Sequence, residues 1–330
     1  MRYLRIKSAS FFWAAIIIAG ASFITSCTND KEGNNTIDVL SLKGPSAMSM
    51  LFMMDSLEEL NGKQLEYTIF DEPVQLRARL LKDEPEFALL PTNMAANLYN
   101  KGVPYQVCAI PVWGTLMVLG DSNDVKSWQD LNGKRINLMG KGMTPDILFR
   151  FLADKNGLDP DKDLELDYSF PTHSDLANAV IAGLSDIAVL SEPLVSMVRS
   201  KNKSIQLIFD LDQEWKKVFK DDSSIPQTSL LVKKQFADNN QGFVINLISK
   251  YGEYCSMVNK RIDDAARAAV KFNVMPDAGT AAASIPGCNM KVVPSWEARD
   301  RIGSFLEVFY KFDPITIGGK LPDEDFFFKK

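Results

Sequence analysis

The chain is predicted to be an α/β protein of two lobes, each a mostly parallel sheet flanked by helices. Three observations carry this expectation. Short apolar runs of strand length alternate with amphipathic stretches along 330 residues, an order that needs crossover helices and therefore sheets covered on both faces. Glu86-Phe87-Ala88-Leu89-Leu90-Pro91 lines up with Asp186-Ile187-Ala188-Val189-Leu190-Ser191 at an offset of 100 residues, and Gly44 lines up with Gly142 at 98. Two similar lobes account for both matches, against the alternative that short apolar strands resemble one another by chance. The length accommodates two cores, and 46% apolar with 24% charged residues is ordinary for a globular chain.

The first element is not part of either lobe. Arg2, Arg5 and Lys7 precede an apolar run from Phe11 to Phe23, which as a helix is roughly 20 Å long, short of the ~30 Å hydrocarbon core. Residues 1–26 therefore read as a secretory signal. Ile24-Thr25-Ser26-Cys27 resembles the lipobox of bacterial lipoproteins, departing from it in Ile24 and Ser26. On that reading Cys27 carries the lipid and residues 27–35 are a polar tether; the other reading is an ordinary cleaved signal with Cys27 a bystander. Removing residues 1–26 takes three basic residues and no acid from 37 basic and 42 acidic, leaving a net charge of -8. Nothing in that balance suggests nucleic acid.

Within the lobes, Ile37 to Leu42 reads as a buried strand, followed by the Lys43-Gly44-Pro45-Ser46 loop and a helix from Ala47 to Leu60 that Asn61-Gly62 stops. Leu65 to Phe70 is a strand and Val74 to Lys82 a helix. Phe87 to Leu90 is a strand ended by Pro91, with Thr92 or Asn93 capping a helix to Asn100. Tyr105 to Ile110 and Thr115 to Leu119 are strands on either side of Pro111 to Gly114. Lys134 to Met139 is a buried strand, and Gly140-Lys141-Gly142 turns tightly. Thr144 suits an N-cap and Pro145 the first helical position of a helix that Gly157 closes. That arrangement offers backbone N–H groups and a positive helix end to an anion or polar ligand.

The second half repeats the pattern. Strands are expected at Leu164 to Phe170, Asp186 to Leu190, Ile205 to Phe209 and Thr228 to Val232, with helices at Asp175 to Ala182, after Ser191-Glu192-Pro193, and at Gln213 to Phe219. From Gly242 onward the chain reads as helical, near Phe243 to Val258, Asp263 to Phe272 and Trp296 to Phe309. Ligands of open α/β sheets bind at the carboxyl ends of the strands, so the loops after Gly44, Pro91, Gly142 and Ser191 form two faces of a clamp.

Taken in order, these pieces resemble the bacterial extracytoplasmic solute-binding proteins of ABC importers, of the nitrate, sulfonate, taurine and thiamine-pyrimidine type. The resemblance covers about Ile37 to Phe327. It rests on Lys43-Gly44-Pro45-Ser46, Ala88-Leu89-Leu90-Pro91-Thr92-Asn93, Leu131-Asn132-Gly133-Lys134-Arg135-Ile136, Ser191-Glu192-Pro193 and Ile317-Gly318-Gly319-Lys320-Leu321-Pro322. It implies a periplasmic binding protein type II fold with crossovers near Pro111 to Gly114 and near Phe236. Residues 36–112 plus 236–330 then form lobe I and residues 113–235 form lobe II.

The resemblance also implies ligand contacts at Gly44, Pro45 and Ser46, at Thr92 and Asn93, at Trp113 and Gly114, at Gly140, Lys141, Gly142, Met143 and Thr144, and at Glu192. Trp113 has two readings, a stacking platform or a hinge core residue. Glu192 could accept from a ligand amine, but Glu before Pro is also turn chemistry, which is preferred. Lys141 either pairs with an anion or is solvated. The implied function is capture of a small polar or anionic solute by a membrane-anchored, exported monomer, with permease and ATPase subunits as partners and no cofactor. The alternatives are a ligand-sensing surface lipoprotein, or an enzyme of the menaquinone or thiamine-pyrimidine pathways on the same fold.

Catalytic readings have little to stand on. The glycine loop has six residues between Gly133 and Gly140 where a phosphate loop needs four, and Pro145 stands where a dinucleotide fingerprint needs its third glycine. His173 is the only histidine, which excludes a two-histidine metal motif, and it reads as a turn residue. No G-x-S-x-G elbow occurs, and Cys108 reads as a buried small residue. Cys108, Cys255 and Cys288 are too few for a disulfide framework, and which pair could bond is open.

Overall fold

The computed structural model describes residues 35–120, 125–220 and 223–330. The signal segment, Cys27 and the tether as far as Asn34 lie outside them. The first third of the described chain builds β1 (Thr36–Leu42), α1 (Pro45–Met48), α2 (Leu51–Ser56), β2 (Glu59–Leu60), β3 (Lys63–Phe70), α3 (Pro73–Leu81), β4 (Phe87–Pro91), α4 (Thr92–Asn100) and β5 (Tyr105–Trp113). The middle builds β6 (Leu116–Gly120), β7 (Arg135–Asn137), α5 (Thr144–Lys155), β8 (Glu165–Asp167), α6 (His173–Ile181), β9 (Ile187–Ser191), α7 (Leu194–Lys201), β10 (Gln206–Asp210) and α8 (Leu211–Phe219). The last third adds β11 (Pro226–Lys233), α9 (Lys234–Asn239), α10 (Gln241–Lys260), α11 (Ile262–Lys271), α12 (Ala278–Ser284), β12 (Met290–Pro294) and α13 (Ser295–Phe312).

Two of these differ from expectation for local reasons. The helix expected from Ala47 to Leu60 ends at Ser56, because Asn61 and Gly62 take φ of 49° and 76°. Two successive positive φ values form a hairpin turn, and Glu59–Leu60 pairs antiparallel with Lys63–Gln64. At α5 the N-cap is Met143 rather than Thr144, which frees the Thr144 hydroxyl for the contact described below.

The strands form a seven-stranded sheet in the order β12-β5-β11-β4-β1-β3-β2 and a five-stranded sheet in the order β10-β6-β9-β7-β8. Both are mixed. Parallel pairing is confined to β3-β1-β4 in the first and β8-β7-β9 in the second. Beyond β4 come antiparallel β11 and β5, and beyond β9 come antiparallel β6 and β10. The five-strand series β3-β1-β4-β11-β5 and β8-β7-β9-β6-β10 therefore have the same sequence of pairings. The aligned segments at Phe87 and Ile187 are equivalent central strands in it.

The pairing of β11 inside the large sheet separates the residues from the expected lobe limits. Thr228 to Val232, grouped by sequence with residues 113–235, hydrogen-bonds to β4 and β5, so the chain re-enters the large sheet at Pro226, ahead of Phe236. Strand β12 has no counterpart in the sequence reading. It is a five-residue edge strand between a 3-10 turn and α13, too short to announce itself by alternation.

Side chains of the large sheet divide by the two-residue period of a strand. Phe87 and Leu89 face a core shared with α2, α10 and α11, whereas Ala88 and Leu90 face the opposite core. That second core continues without a break into the small sheet, through Phe149, Phe151 and Trp215, because Phe305 and Phe309 of α13 belong to it as well. Phe151 meets Phe312 edge-on at 6.2 Å, and Trp215 lies 6.3 Å from Phe305. The other face of the small sheet is closed by α6 and α7 over Leu176, Val180, Val195 and Val198.

Candidate functional site

The carboxyl ends of β1 and β4 open into two loops that antiparallel β11 brings together. Gly44 has φ 96°, a conformation that side-chain-bearing residues rarely adopt, and it starts α1. Ser46, buried, lies 3.4 Å from Thr228 hydroxyl to hydroxyl, and Thr92 pairs with Ser229 at 2.9 Å. Pro91 caps α4 without any side-chain hydrogen bond, so the first N–H groups of that helix are not met by its own cap. Thr228 and Ser229 were not among the expected contacts. Their signal in the sequence was a polar pair directly ahead of the apolar run Leu230-Leu231-Val232.

The two sheets' loops meet at Asn93 and Thr144. The Thr144 hydroxyl donates to Asn93 Oδ1 at 3.1 Å, with both residues buried. Alongside, Pro193 reaches Gly44, its Cδ 3.8 Å from where a β-carbon would sit on that glycine. A β-carbon on Gly142 would likewise touch Thr316, beyond the end of α13, at 3.5 Å. Gly44, Ser46, Thr92, Asn93, Thr144 and Pro193 are thus held in one region between the sheets.

The glycine loop is not the open anion cradle that its spacing suggests. Gly140 and Gly142 do take φ of 71° and 79°. The Gly142 N–H, however, donates to Asp146 Oδ2 at 2.7 Å, and the Met143 N–H donates to the Gly140 carbonyl at 2.8 Å. Asp146 is fully buried and its other oxygen accepts from the Tyr168 hydroxyl at 2.6 Å. Lys141 is exposed and Met143 is 39% exposed.

Three further expected contacts are engaged by the protein itself. The Trp113 indole is buried, donates to the Lys291 carbonyl at 2.8 Å, and has the Arg301 guanidinium 4.7 Å from its ring centre. Its neighbour Gly114 has Asp212 packed against its α-carbon. Glu192 accepts from the Ser196 N–H at 3.0 Å and from the Ser196 hydroxyl at 2.9 Å. It packs on Gly287, where a β-carbon would come within 2.7 Å of Oε1. Burial raises the Glu192 acid above its ordinary value, the Ser196 hydrogen bonds and the charge of Arg199 opposing it. The cap of α7 and the turn at the cis Glu192–Pro193 bond account for this residue without a ligand.

Two crossovers join the sheets side by side. The Thr115 N–H donates to Gln227 Oε1 at 2.8 Å, and the Thr115 carbonyl accepts from the Glu192 N–H at 3.1 Å. Asp212 accepts from the Ile225 N–H at 2.8 Å, the Ser224 hydroxyl at 2.9 Å and Lys216 Nζ at 2.9 Å. Thr115, Gln227 and Asp212 had no sequence signal, because only tertiary pairing brings residues 114, 212 and 225 together.

His173 is the first residue of α6, one after the capping Thr172, whose hydroxyl accepts from the Asp175 N–H. Its Nδ1 is sealed from solvent without a partner, and burial pushes the imidazole down to about 4. Cys108, Cys255 and Cys288 are free buried thiols, and burial pushes Cys255 up to about 12. Among the described residues no group of three or more His, Cys, Asp or Glu side chains is arranged to hold a metal ion. Nor is any helix there long and apolar enough to cross a membrane.

A family model described as "ABC transporter, phosphonate, periplasmic substrate-binding protein" matches residues 46–273. The putative binding protein YtlA of Bacillus subtilis is 23% identical over 128 residues, 39% of this chain and 36% of that protein. The match thus spans about a third of that relative's length. Among solved structures, an ABC transporter protein of Parabacteroides distasonis is similar over 90% of this chain and 99% of its own, with TM-score 0.79 and 25% identity. The periplasmic aliphatic sulphonate binding protein SsuA of Escherichia coli has TM-score 0.69 at 16% identity over 84% of this chain and 92% of its own. The alkanesulfonate-binding protein SsuA of Xanthomonas axonopodis pv. citri, bound to MOPS, has TM-score 0.65 at 13% identity over 88% and 95%. The last two likenesses concern the fold.

Proposed function

Because the chain belongs to the family of phosphonate-type periplasmic substrate-binding proteins of ABC transporters, we propose that it captures a small polar or anionic solute between the loops of its two sheets. It then presents that solute to a membrane permease driven by an ATPase. The observation that carries this reading is the hydrogen bond from Thr144 to Asn93. It joins the loop ahead of α5 to the head of α4, so the loops of the two sheets meet at one place. Hydroxyls of Ser46, Thr92, Thr228 and Ser229 line the large-sheet side and suit a solute bearing oxygen atoms.

The two sheets act as lobes. Strand pairing supports a lobe II that runs from Leu116 to about Phe219, with everything else in lobe I, and the crossovers at Gly114 and Ile225 serve as the hinge. A solute that bridges the lobes stabilises the arrangement in which Asn93 and Thr144 touch. The mature protein is exported and held to a membrane by lipid on Cys27.

The test is titration of the purified mature protein with methylphosphonate, ethanesulfonate, taurine, nitrate and an aminopyrimidine, read by calorimetry and by melting temperature. A ligand at one hundred times its dissociation constant adds about 2.7 kcal/mol, which raises the melting temperature by several degrees. No response to any solute of that panel, or of a wider metabolite panel, counts against solute capture.

A further inference from the structure

A fully buried hydroxyl at the junction of the sheets has no partner. Thr115 stands on the first crossover, between β5 and β6, with none of its surface exposed. Its N–H donates to Gln227 Oε1 and its carbonyl accepts from the Glu192 N–H, so both main-chain groups are engaged. The hydroxyl oxygen meets no donor or acceptor among the described residues. Arg150 and Asn100 also bury an unpaired atom, but each bonds through another nitrogen. A threonine side chain has nothing besides its hydroxyl. The carboxylates nearest the crossover are taken up within the protein, Asp212 by Lys216, Ser224 and Ile225 and Glu192 by Ser196, so neither competes for it. Leu116, next in the chain, pairs with Ser191 at the carboxyl end of β9, and Thr228, next after Gln227, pairs with Pro91 at the carboxyl end of β4. Thr115 is thus fixed where the carboxyl ends of the two central strands converge, and ligands of open α/β sheets bind at such ends.

We propose that Thr115 is a solute-binding residue at the base of the cleft, its hydroxyl donating to an oxygen acceptor of the solute such as a phosphonate or sulfonate head presents. The inference rests on the reading of the cleft as a solute site. An unpaired buried hydroxyl is costly, and here the cost falls on closure without a solute. A solute reaches the hydroxyl as the lobes part and keeps it when they close, so closure favours the loaded cleft over the empty one. The neighbouring hydroxyls supply the same chemistry. In the pairs Ser46–Thr228 and Thr92–Ser229 one O–H serves the partner oxygen, and the second is available to the solute. Oxygen acceptors therefore match this part of the cleft.

The experiment is calorimetric titration of the mature wild type, Thr115→Val and Thr115→Ser with methylphosphonate and with ethanesulfonate, beside urea midpoints of the free proteins. Thr115→Val keeps the shape and loses the hydroxyl, so it should weaken binding about tenfold while leaving the free protein as stable as the wild type or more so. Thr115→Ser keeps the hydroxyl and should bind within about threefold of the wild type. If the valine variant does not fold, Thr115→Ala takes its place, since alanine and serine differ only in the hydroxyl. Wild-type affinity in Thr115→Val overturns the contact, as does an equal loss in the valine and serine variants. A valine variant whose free form is clearly less stable also overturns it, because the hydroxyl would then have a partner without solute. Failure of the wild type to bind either probe overturns the oxygen contact too, and the proposed function falls with it only if no other solute of its panel binds.

Discussion

The carboxylate of Asp212 lies against the α-carbon of Gly114, closer than any β-carbon placed there would permit. The same carboxylate holds the N–H of Ile225 on the neighbouring crossover. One buried side chain thereby fixes the spacing of both connections between the sheets. Gly114→Ala should push Asp212 off these partners and lower stability by about 1–3 kcal/mol. In an Asp212→Gly background, which removes the clashing β-carbon along with the carboxylate, the same substitution should cost less. Equal costs in the two backgrounds, measured by urea midpoints, would dissociate Gly114 from Asp212.

Thr144→Val keeps the shape of the side chain and removes the hydroxyl that reaches Asn93. The buried Asn93 oxygen then loses a donor, at about 1–2 kcal/mol. Since that contact exists only when the loops meet, the loss should weaken solute binding roughly tenfold while barely changing the melting temperature of the free protein. Undiminished affinity would show that the contact contributes nothing to closure.

The pH dependence of stability should carry a signature of His173. Its imidazole sits at about 4 in the folded protein, against 6.5 when unfolded. Above pH 6.5 both states are neutral there and nothing changes. As pH falls from 6.5 towards 4 the unfolded chain takes up a proton that the folded ring refuses, so stability drops by about 2–3 kcal/mol across that window. His173→Gln should flatten this part of the profile. Parallel urea-midpoint curves for variant and wild type between pH 7 and 4.5 would reject burial of the neutral ring as the cause.

Cys27→Ala should transfer the exported protein from the membrane fraction to the soluble fraction, because the lipid is the proposed anchor. Retention in the membrane fraction after a salt and carbonate wash would rule that anchor out.

Much of the fold could be read in the residues because its information is local. The strand at Phe87–Pro91 and its equivalent at Ile187–Ser191 are short apolar runs ended by Pro91 and Ser191, the first followed at once by a helix and the second after the Glu192-Pro193 turn. Gly44 and Gly142 were legible as positions of positive φ, which glycine supplies, although Gly44 is the N-cap of α1 and Gly142 stands one residue ahead of the N-cap of α5. The helix drawn through Leu60 failed for an equally local reason, because Asn61-Gly62 serves both as a helix stop and as a hairpin turn.

The candidate site was legible only as a set of loops. Sequence pattern placed Ser46, Thr92, Asn93 and Thr144 at strand ends, where a ligand-binding face belongs. It also marked Trp113, Gly142 and Glu192 by residue type. What each does depends on partners far along the chain. Trp113 is held by Lys291 and Arg301, Glu192 packs on Gly287, and Thr92 pairs with Ser229, 137 residues away.

By itself, then, the sequence determined the alternation of elements, the duplicated strand-loop-helix units and the conformational need for glycine, all of which follow from neighbours within a few residues. Tertiary structure alone decided that β11 enters the large sheet beside β4, that Asp212 joins the crossovers, and that Asp146 fills the glycine loop from within. Strand pairing and burial couple residues without regard to their separation along the chain, and hydrophobic periodicity carries no record of which distant partner a buried polar group will meet.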